Sequence, residues 1–418
     1  MTRSTSTSGW ASGTANWRTP MVVIACGCLI GALTFGPRST FGLFLQPMSQ
    51  AFAWGRDVFA FAFAIQNLLW GMGQPIFGAV ADRYGTTPVL MGGAILYATG
   101  LALMRWSSTP LAIELTLGLL VGVGLSACSF NVVVSAFGKI IPGEWRALAL
   151  GAATAAGSFG QFLFAPASVG LMDAIGWQNT LTVFAVVVLI AVPAAMAIHT
   201  PPATPAGEGD DARANQSIRA ALKEALGHRS YVLLVLGFFT CGFQLAFVTA
   251  HLPSYLVDRG LSAEVGGWVI AIIGMFNIAG ALGVGWIGNR VPSRYILSVI
   301  YLIRALSIVA LIYLPMTTTT AILFGMVTGL MWLSTVPPTS GLVALMFGTR
   351  WLATLFGIAF FSHQVGGFLG VWLGGVMFER TGSYDTVWWL SILFGILSAA
   401  INLPIVEKPV DQLRPRSA

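Results

Sequence analysis

A chain of 418 residues that is 56% hydrophobic and 9% charged, with a mean hydropathy of +0.80, is excluded from the soluble globular class, where about a quarter of residues are charged. The net charge of +6 and pI near 9.4 would suit nucleic acid, but membrane topology accounts for the basic residues and no nucleic-acid partner is expected. Apolar runs of about 20 residues recur along the whole length, as in a polytopic helical membrane protein.

The first 19 residues are a Ser/Thr-rich tail, and the apolar run after it is too long for the core of a cleavable signal peptide. Twelve spans follow, at 20–46, 57–80, 88–106, 110–138, 146–172, 177–198, 231–256, 263–288, 294–314, 320–346, 351–378 and 385–406. They divide the chain into a cytoplasmic tail (1–19), a six-helix bundle (20–198), a cytoplasmic linker (199–230), a second six-helix bundle (231–406) and a cytoplasmic tail (407–418). The linker opens with PPATPAGEGDDARANQ, too poor in apolar residues to fold. It continues with SIRAALKEALGHR, an amphipathic helix suited to a membrane surface; a plain tether is as good a reading as a regulatory element. With both termini inside, fifteen Lys and Arg fall in cytoplasmic segments, four (Arg56, Arg105, Arg259, Arg380) in outer loops, and two, Arg38 and Arg304, within spans. This bias is the orientation signal of a multi-pass protein of a bacterial inner membrane.

A cation inside an apolar span is expensive and by default suggests a site. Arg38 follows a Gly36-Pro37 pair able to kink the first span. It lies about 27 Å past Pro20 at 1.5 Å per residue, so it either faces a cavity, where a guanidinium suits a carboxylate, or snorkels to the outer surface. His363 sits about 20 Å into the eleventh span. It is either an anion ligand and proton carrier or a histidine satisfied by a carbonyl; Gln364 follows it. Arg304 lies near the midplane of the ninth span, where pairing with helix-end carbonyls competes with a substrate role. His251 reads as interfacial. The fifteen acids all lie in loops or near span ends, so no mid-membrane carboxylate is available for a proton relay. The four cysteines read as small packing residues, and neither a metal site, a cofactor site nor an enzyme motif is recognised.

The halves repeat. Gly78, Asp82 and Arg83 match Gly285, Asn289 and Arg290 at an offset of 207; Gly160, Asp173 and Gly176 match Gly366, Glu379 and Gly382 at an offset of 206. Six-plus-six repeats are a design of alternating-access transporters.

GAVADRYGTTPV (Gly78, Asp82, Arg83, Gly85) resembles the loop between the second and third helices of the major facilitator superfamily, an inner gate there; Asn289 and Arg290 form its second copy. Read without the resemblance, these charges are a solvated turn. Within that superfamily the chain is similar to the monocarboxylate and oxalate/formate transporter branch. FGPRSTFGLFL resembles the first helix of animal monocarboxylate transporters, with Arg38 in place of a lysine. GVGLSACSFNVVVSAFGK resembles their fourth helix and aligns Asn131 with an asparagine. SHQVGGFLGVWLGGVMFERTGSYD resembles the eleventh helix of bacterial members, with His363 about where the oxalate transporter has a lysine. The chain departs from the family in the eighth span, where Asn277 and Ala281 replace an Asp and an Arg.

The resemblance implies an all-α fold of twelve transmembrane helices in two pseudo-symmetric six-helix bundles, acting as a monomer. It implies transport of a small organic anion, a monocarboxylate first, with proton cotransport; the alternatives are anion exchange of the oxalate/formate type and, after it, a drug or metabolite exporter. Candidate substrate residues are Arg38, His363, Asn131, Gln244, Phe247, Asn277, Trp332 and Gln364, with Arg304 as a possible second cation. Phe247 and Trp332 would pack on the acid's body if they are not simply core residues.

Overall fold

The computed structural model describes residues 17–200 and 217–410 apart from 289 and 349–350. The expectations for the Ser/Thr-rich tail, the PPATPAGEGDDARANQ stretch of the linker, most of the final tail and Asn289 fall outside these.

Helix α1 runs over Pro20–Ser39, capped by the Thr19 hydroxyl, which accepts from the Val22 N–H at 3.3 Å. It holds through Pro37, is interrupted at Thr40 and resumes over Phe41–Phe52. Then come α2 (Arg56–Tyr84), α3 (Thr86–Met104) and α4 (Pro110–Ile140), the last with a π-helical stretch at Glu114–Val121 and a break at Cys128–Ser129. The segment Gly143–Val188 is two helices, α5 (143–175) and α6 (177–188), joined at Gly176, whose φ of 79° is open mainly to glycine. A linker helix, Ile218–Gly227, buries Ala221 and Ala225. The second half comprises α7 (Arg229–Asp258), α8 (Ala263–Ile287), α9 (Ser293–Tyr313), α10 (Thr318–Met331, resuming at Val336–Phe347), α11 (Leu352–Thr381) and α12 (Asp385–Asn402).

Ten helical segments among the described residues are long and apolar enough to cross a membrane. One of them, Gly143–Ala195, holds both α5 and α6. The 29-residue α2 lies outside the ten; Gln66, Asn67 and Gln74 lower its hydropathy. With α2 counted and α5 separated from α6, the twelve passes are accounted for. The tenth, expected as unbroken over 320–346, is broken at 332–335 instead. Pro337 and Pro338 lack the N–H groups that would bond back to Leu333 and Ser334.

The repeat is visible in the packing. In the first half α5 lies on α1, and a Cβ on Gly160 would strike the Ala32 carbonyl; in the second α11 lies on α7, and one on Gly366 would strike the Phe239 carbonyl. Gly382, the counterpart of Gly176, also has positive φ, at 70°.

The bundles meet along two seams, α2 with α11 and α5 with α8. In the second, Gln161 Nε2 donates to the Ile270 carbonyl at 2.9 Å and Asn277 Nδ2 to Ser158 Oγ at 2.7 Å. At the face opposite the linker helix, Arg56 crosses between bundles. Its guanidinium reaches both Asp258 oxygens at 2.5 and 2.8 Å and Tyr384 Oη at 2.9 Å, and its N–H reaches Glu379 at 2.7 Å. Just inside this latch a Cβ on Gly42 of α1 would collide with the α7 backbone at Thr249 and Ala250. On the linker face, bonds such as Arg18 to the Ala197 carbonyl and Glu407 to the Arg294 N–H run within one bundle. The structure is closed at the far face.

Candidate functional site

Arg38 is 7% exposed and turned into the first bundle. It donates to Asn67 Oδ1 of α2, and its guanidinium carbon lies 4.4 Å from the centre of the Trp70 ring, 5.7 Å from Phe63 and 5.8 Å from Phe35. No carboxylate pairs with it among the described residues, and its Nε has no partner. Tyr97 of α3 is close by, its hydroxyl unbonded. The snorkelling alternative is not what the structure shows: the charge is held inside by an amide oxygen and aromatic faces.

His363 lies in the second bundle. Phe360 stacks on it with centroids 5.6 Å apart and planes at 6°, Phe238 packs at 5.0 Å, and Cys241 contacts it from α7. Its Nδ1 has no partner. Gly242 makes this approach possible, since a Cβ there would collide with the His363 carbonyl. Arg38 and His363 do not touch, but Trp70 stands edge-on to Phe360 at 5.7 Å. The series Arg38, Trp70, Phe360, His363 therefore spans the α2–α11 seam.

The break in α10 gathers several expected residues. Arg304, 2% exposed, donates from Nε at 3.1 Å, and also from Nη2, to the Met331 carbonyl, and from Nη2 to that of Trp332. It caps the first half of α10, a cation at a helix C-terminus; this is the helix-end pairing anticipated for it. Asn277 Oδ1 accepts from the Leu333 N–H at 2.9 Å, and Cys241 Sγ lies 3.2 Å from Thr335 Oγ1. Gln244 Nε2 donates to the Ser391 carbonyl at 2.9 Å.

Other expected residues lie elsewhere. Asn131, exposed, donates to Gln74 Oε1 at 2.9 Å. Gln364 packs on Gly71 in the seam, its Nε2 unpaired. Phe247 is fully buried and packs edge-on to Trp388 of α12 at 4.7 Å, within the second bundle. His251 is not interfacial but fully buried, bonded through Nε2 to the Val371 carbonyl at 2.8 Å. In the gate loop Asp82 pairs with Lys139 of its own bundle, both well exposed. Arg83 lies over Tyr84 at 5.3 Å and Arg290 over Trp286 at 4.0 Å. Gly85 takes φ 89°; Gly78 has open space around it. Sequence reasoning missed Asn67, Trp70 and Phe360. A polar Gln66-Asn67 pair with Trp70 one turn on, inside a span, was the available signal.

Buried cations held in two helical bundles that meet along long seams define a polytopic membrane transporter. The chain belongs to the Major Facilitator Superfamily, whose model matches residues 27–371, and is accordingly a transport protein rather than an enzyme. It is 29% identical over 377 residues to the uncharacterized MFS-type transporter YcxA of Bacillus subtilis, covering 89% of this chain and 91% of the relative. It is 26% identical to human monocarboxylate transporter 11, covering 88% and 79%. Among solved structures it superposes on a mutant form of the nucleoside transporter NupG with a TM-score of 0.74 at 15% identity, covering 92% of this chain and 99% of that one. For a bacterial homolog of the human lysosomal transporter Spinster, in an inward-facing and unoccupied conformation, the TM-score is 0.73 at 16% identity, covering 93% and 97%.

Proposed function

We propose that this transporter moves a small organic anion, a monocarboxylate, across a bacterial cytoplasmic membrane by alternating access, with both termini and the linker on the cytoplasmic side. The observation that carries this reading is Arg38: a buried guanidinium with no carboxylate partner among the described residues, its Nε unpaired, set against the Asn67 amide oxygen and aromatic side chains. A substrate carboxylate supplies the missing counter-charge, and Phe35 and Trp70 pack on its apolar body. The monocarboxylate transporters among the relatives support the substrate class. His363, across the seam behind Phe360, serves as second ligand or proton carrier.

The absence of a mid-membrane acid favours a second reading, anion exchange, in which an outgoing anion replaces the proton.

Uptake into proteoliposomes of labelled lactate, pyruvate, oxalate, formate and aromatic acids separates the substrates. Removing one partner of a buried pair costs about 3–5 kcal/mol, and each 1.4 kcal/mol is about tenfold. Arg38→Ala is therefore expected to weaken substrate binding by at least about a hundredfold, and Arg38→Lys to recover part of it. Near-native affinity in a folded Arg38→Ala variant would remove the centre of this reading.

A further inference from the structure

We infer that the cleft between the linker-side ends of α2 and α3 is a phospholipid site, in which one acyl chain of an anionic glycerophospholipid lies in the cleft and its phosphate meets Arg83. Helices α2 and α3 join through the single residue Gly85. Each also packs closely on α4: a Cβ on Gly73 would strike Ser126, and one on Gly93 would strike Ala127 and Cys128. Between these contacts the helices leave a cleft of about 550 Å³. Phe77, Val80 and Tyr84 form one wall, Val89 and Leu96 the other, and Ala127 lies on α4 behind them. Gly92 keeps the cleft open, since a Cβ there would meet nothing within 4 Å.

Depth and charge together choose the occupant. Tyr84 ends the 29-residue α2, Phe77 lies about 10 Å further in, and Leu96 about 15 Å from the start of α3. The cleft therefore reaches through about half of a ~30 Å hydrocarbon core. Its only polar side-chain group is the Tyr84 hydroxyl, and Met72, Ile76 and Ile95 on the same two helices are exposed, as on a surface facing lipid. An apolar space holds no ordered water, and acyl chains are the apolar molecules around it. At the rim, the Arg83 guanidinium carbon lies 5.3 Å from the centre of the Tyr84 ring, and no carboxylate pairs with it among the described residues. The neighbouring Asp82 is already offset by Lys139, so the charge left over is positive. A guanidinium suits a phosphate, and an aromatic ring beside it suits the headgroup level. The unpaired charge favours a lipid of net negative charge over a zwitterionic one. Because α2 also carries Asn67 and Trp70, a lipid seated here would brace the helix that holds Arg38.

The test is photocrosslinking of the purified protein in phosphatidylcholine vesicles. The vesicles carry a trace of either phosphatidylglycerol or phosphatidylcholine with a photoreactive group on one acyl chain, and the labelled peptides are mapped by mass spectrometry. We expect phosphatidylglycerol to label the cleft within residues 77–96 more strongly than phosphatidylcholine with the same chains. Arg83→Gln, an exposed position, should weaken the apparent affinity for phosphatidylglycerol about tenfold, the cost of one hydrogen bond to a charged group, and erase its preference. Gly92→Leu puts a better helix former in place of glycine and should fill the cleft, removing the label from it. Arg38→Ala should leave the labelling in place, which separates this site from the proposed transport site. Equal labelling by the two lipids in the parent protein, a preference kept in Arg83→Gln, or cleft labelling unaltered in Gly92→Leu would each overturn the assignment.

Discussion

Arg56→Ala tests whether the far face is held shut by one side chain. The guanidinium makes a two-pronged bond to Asp258 at 2.5 and 2.8 Å and a third to Tyr384 at 2.9 Å, and lies 3.8 Å from the centre of the Phe378 ring. Burial pushes the Tyr384 hydroxyl up to about 12, so it stays neutral and accepts from Arg56 throughout the physiological range. The ion pair is only partly shielded, its side chains being 11% and 27% exposed, so the 3–5 kcal/mol of a fully buried pair is too much. A hydrogen bond to a charged group contributes about 1.5–3 kcal/mol and an exposed cation–π contact about 0.5–1. Together these give about 2–4 kcal/mol, or roughly 30- to 1,000-fold in the open-to-closed ratio. The bond from the Arg56 N–H to Glu379 survives the substitution and holds part of this back, so at least about tenfold is expected. The assay is the rate at which an impermeant thiol reagent modifies Ala250→Cys, placed where α1 and α7 close, in a protein whose native cysteines are replaced by serine. The rate should rise at least about tenfold with Arg56→Ala and less with Asp258→Asn, which keeps a hydrogen bond. An unchanged rate in both, with folding intact, refutes the latch.

If the proposed orientation is right, Ser217→Cys at the start of the linker helix reacts with an impermeant reagent only after the membrane is opened; reaction in sealed cells would reverse the topology. His363→Gln should flatten the pH dependence of net uptake while sparing exchange of internal for external substrate, and an unaltered pH profile would make His363 a packing residue. Gly242→Ala places a methyl group against the His363 carbonyl, backbone that no rotamer change can move. A loss of about 1–3 kcal/mol is expected from such overpacking, read as a lower melting temperature and poorer yield; native stability would mean that α7 and α11 pack less tightly than the structure has it.

Hydropathy made the passes legible because every helix facing lipid must satisfy its backbone internally and cover itself with apolar side chains. The repeat was legible for a different reason. Gly176 and Gly382 stand at equivalent turns with positive φ, and Gly160 and Gly366 at equivalent close approaches, positions where a side chain is excluded by geometry. The neighbours of a buried side chain are another matter. The helix that carries Phe247 suggests a cavity wall, but that helix presents the ring to α12; which face of a uniformly apolar helix turns inward leaves no periodic trace. The break in α10 does have a signal in the sequence, the Pro337-Pro338 pair. Arg304 could be read correctly only in part, because the carbonyls it caps exist as free acceptors only once that helix is broken.

The two intramembrane arginines face the same problem and answer it differently, and the difference bears on which one is proposed to meet the substrate. Burying a guanidinium is tolerable when its N–H groups are bonded and its charge is offset. Arg304 spends Nε and Nη2 on two backbone carbonyls at a helix end, partners that cannot leave without unfolding α10. It is a fixed part of the bundle. Arg38 has made no such commitment. Its bond is to a side-chain amide, Asn67, and its broadest contact is the face of Trp70, both on α2. Trp70 also packs on Phe35 of its own bundle and on Phe360 of α11, in the opposite bundle. If α2 and α11 part, Trp70 loses the support of Phe360 and is free to turn away. The charge it covers is then exposed at the point where the bundles separate. A cation whose partners depend on the seam can exchange a carboxylate during the cycle; one locked to backbone carbonyls cannot. On this physical ground Arg38, rather than Arg304, is the residue through which transport and bundle movement would be coupled.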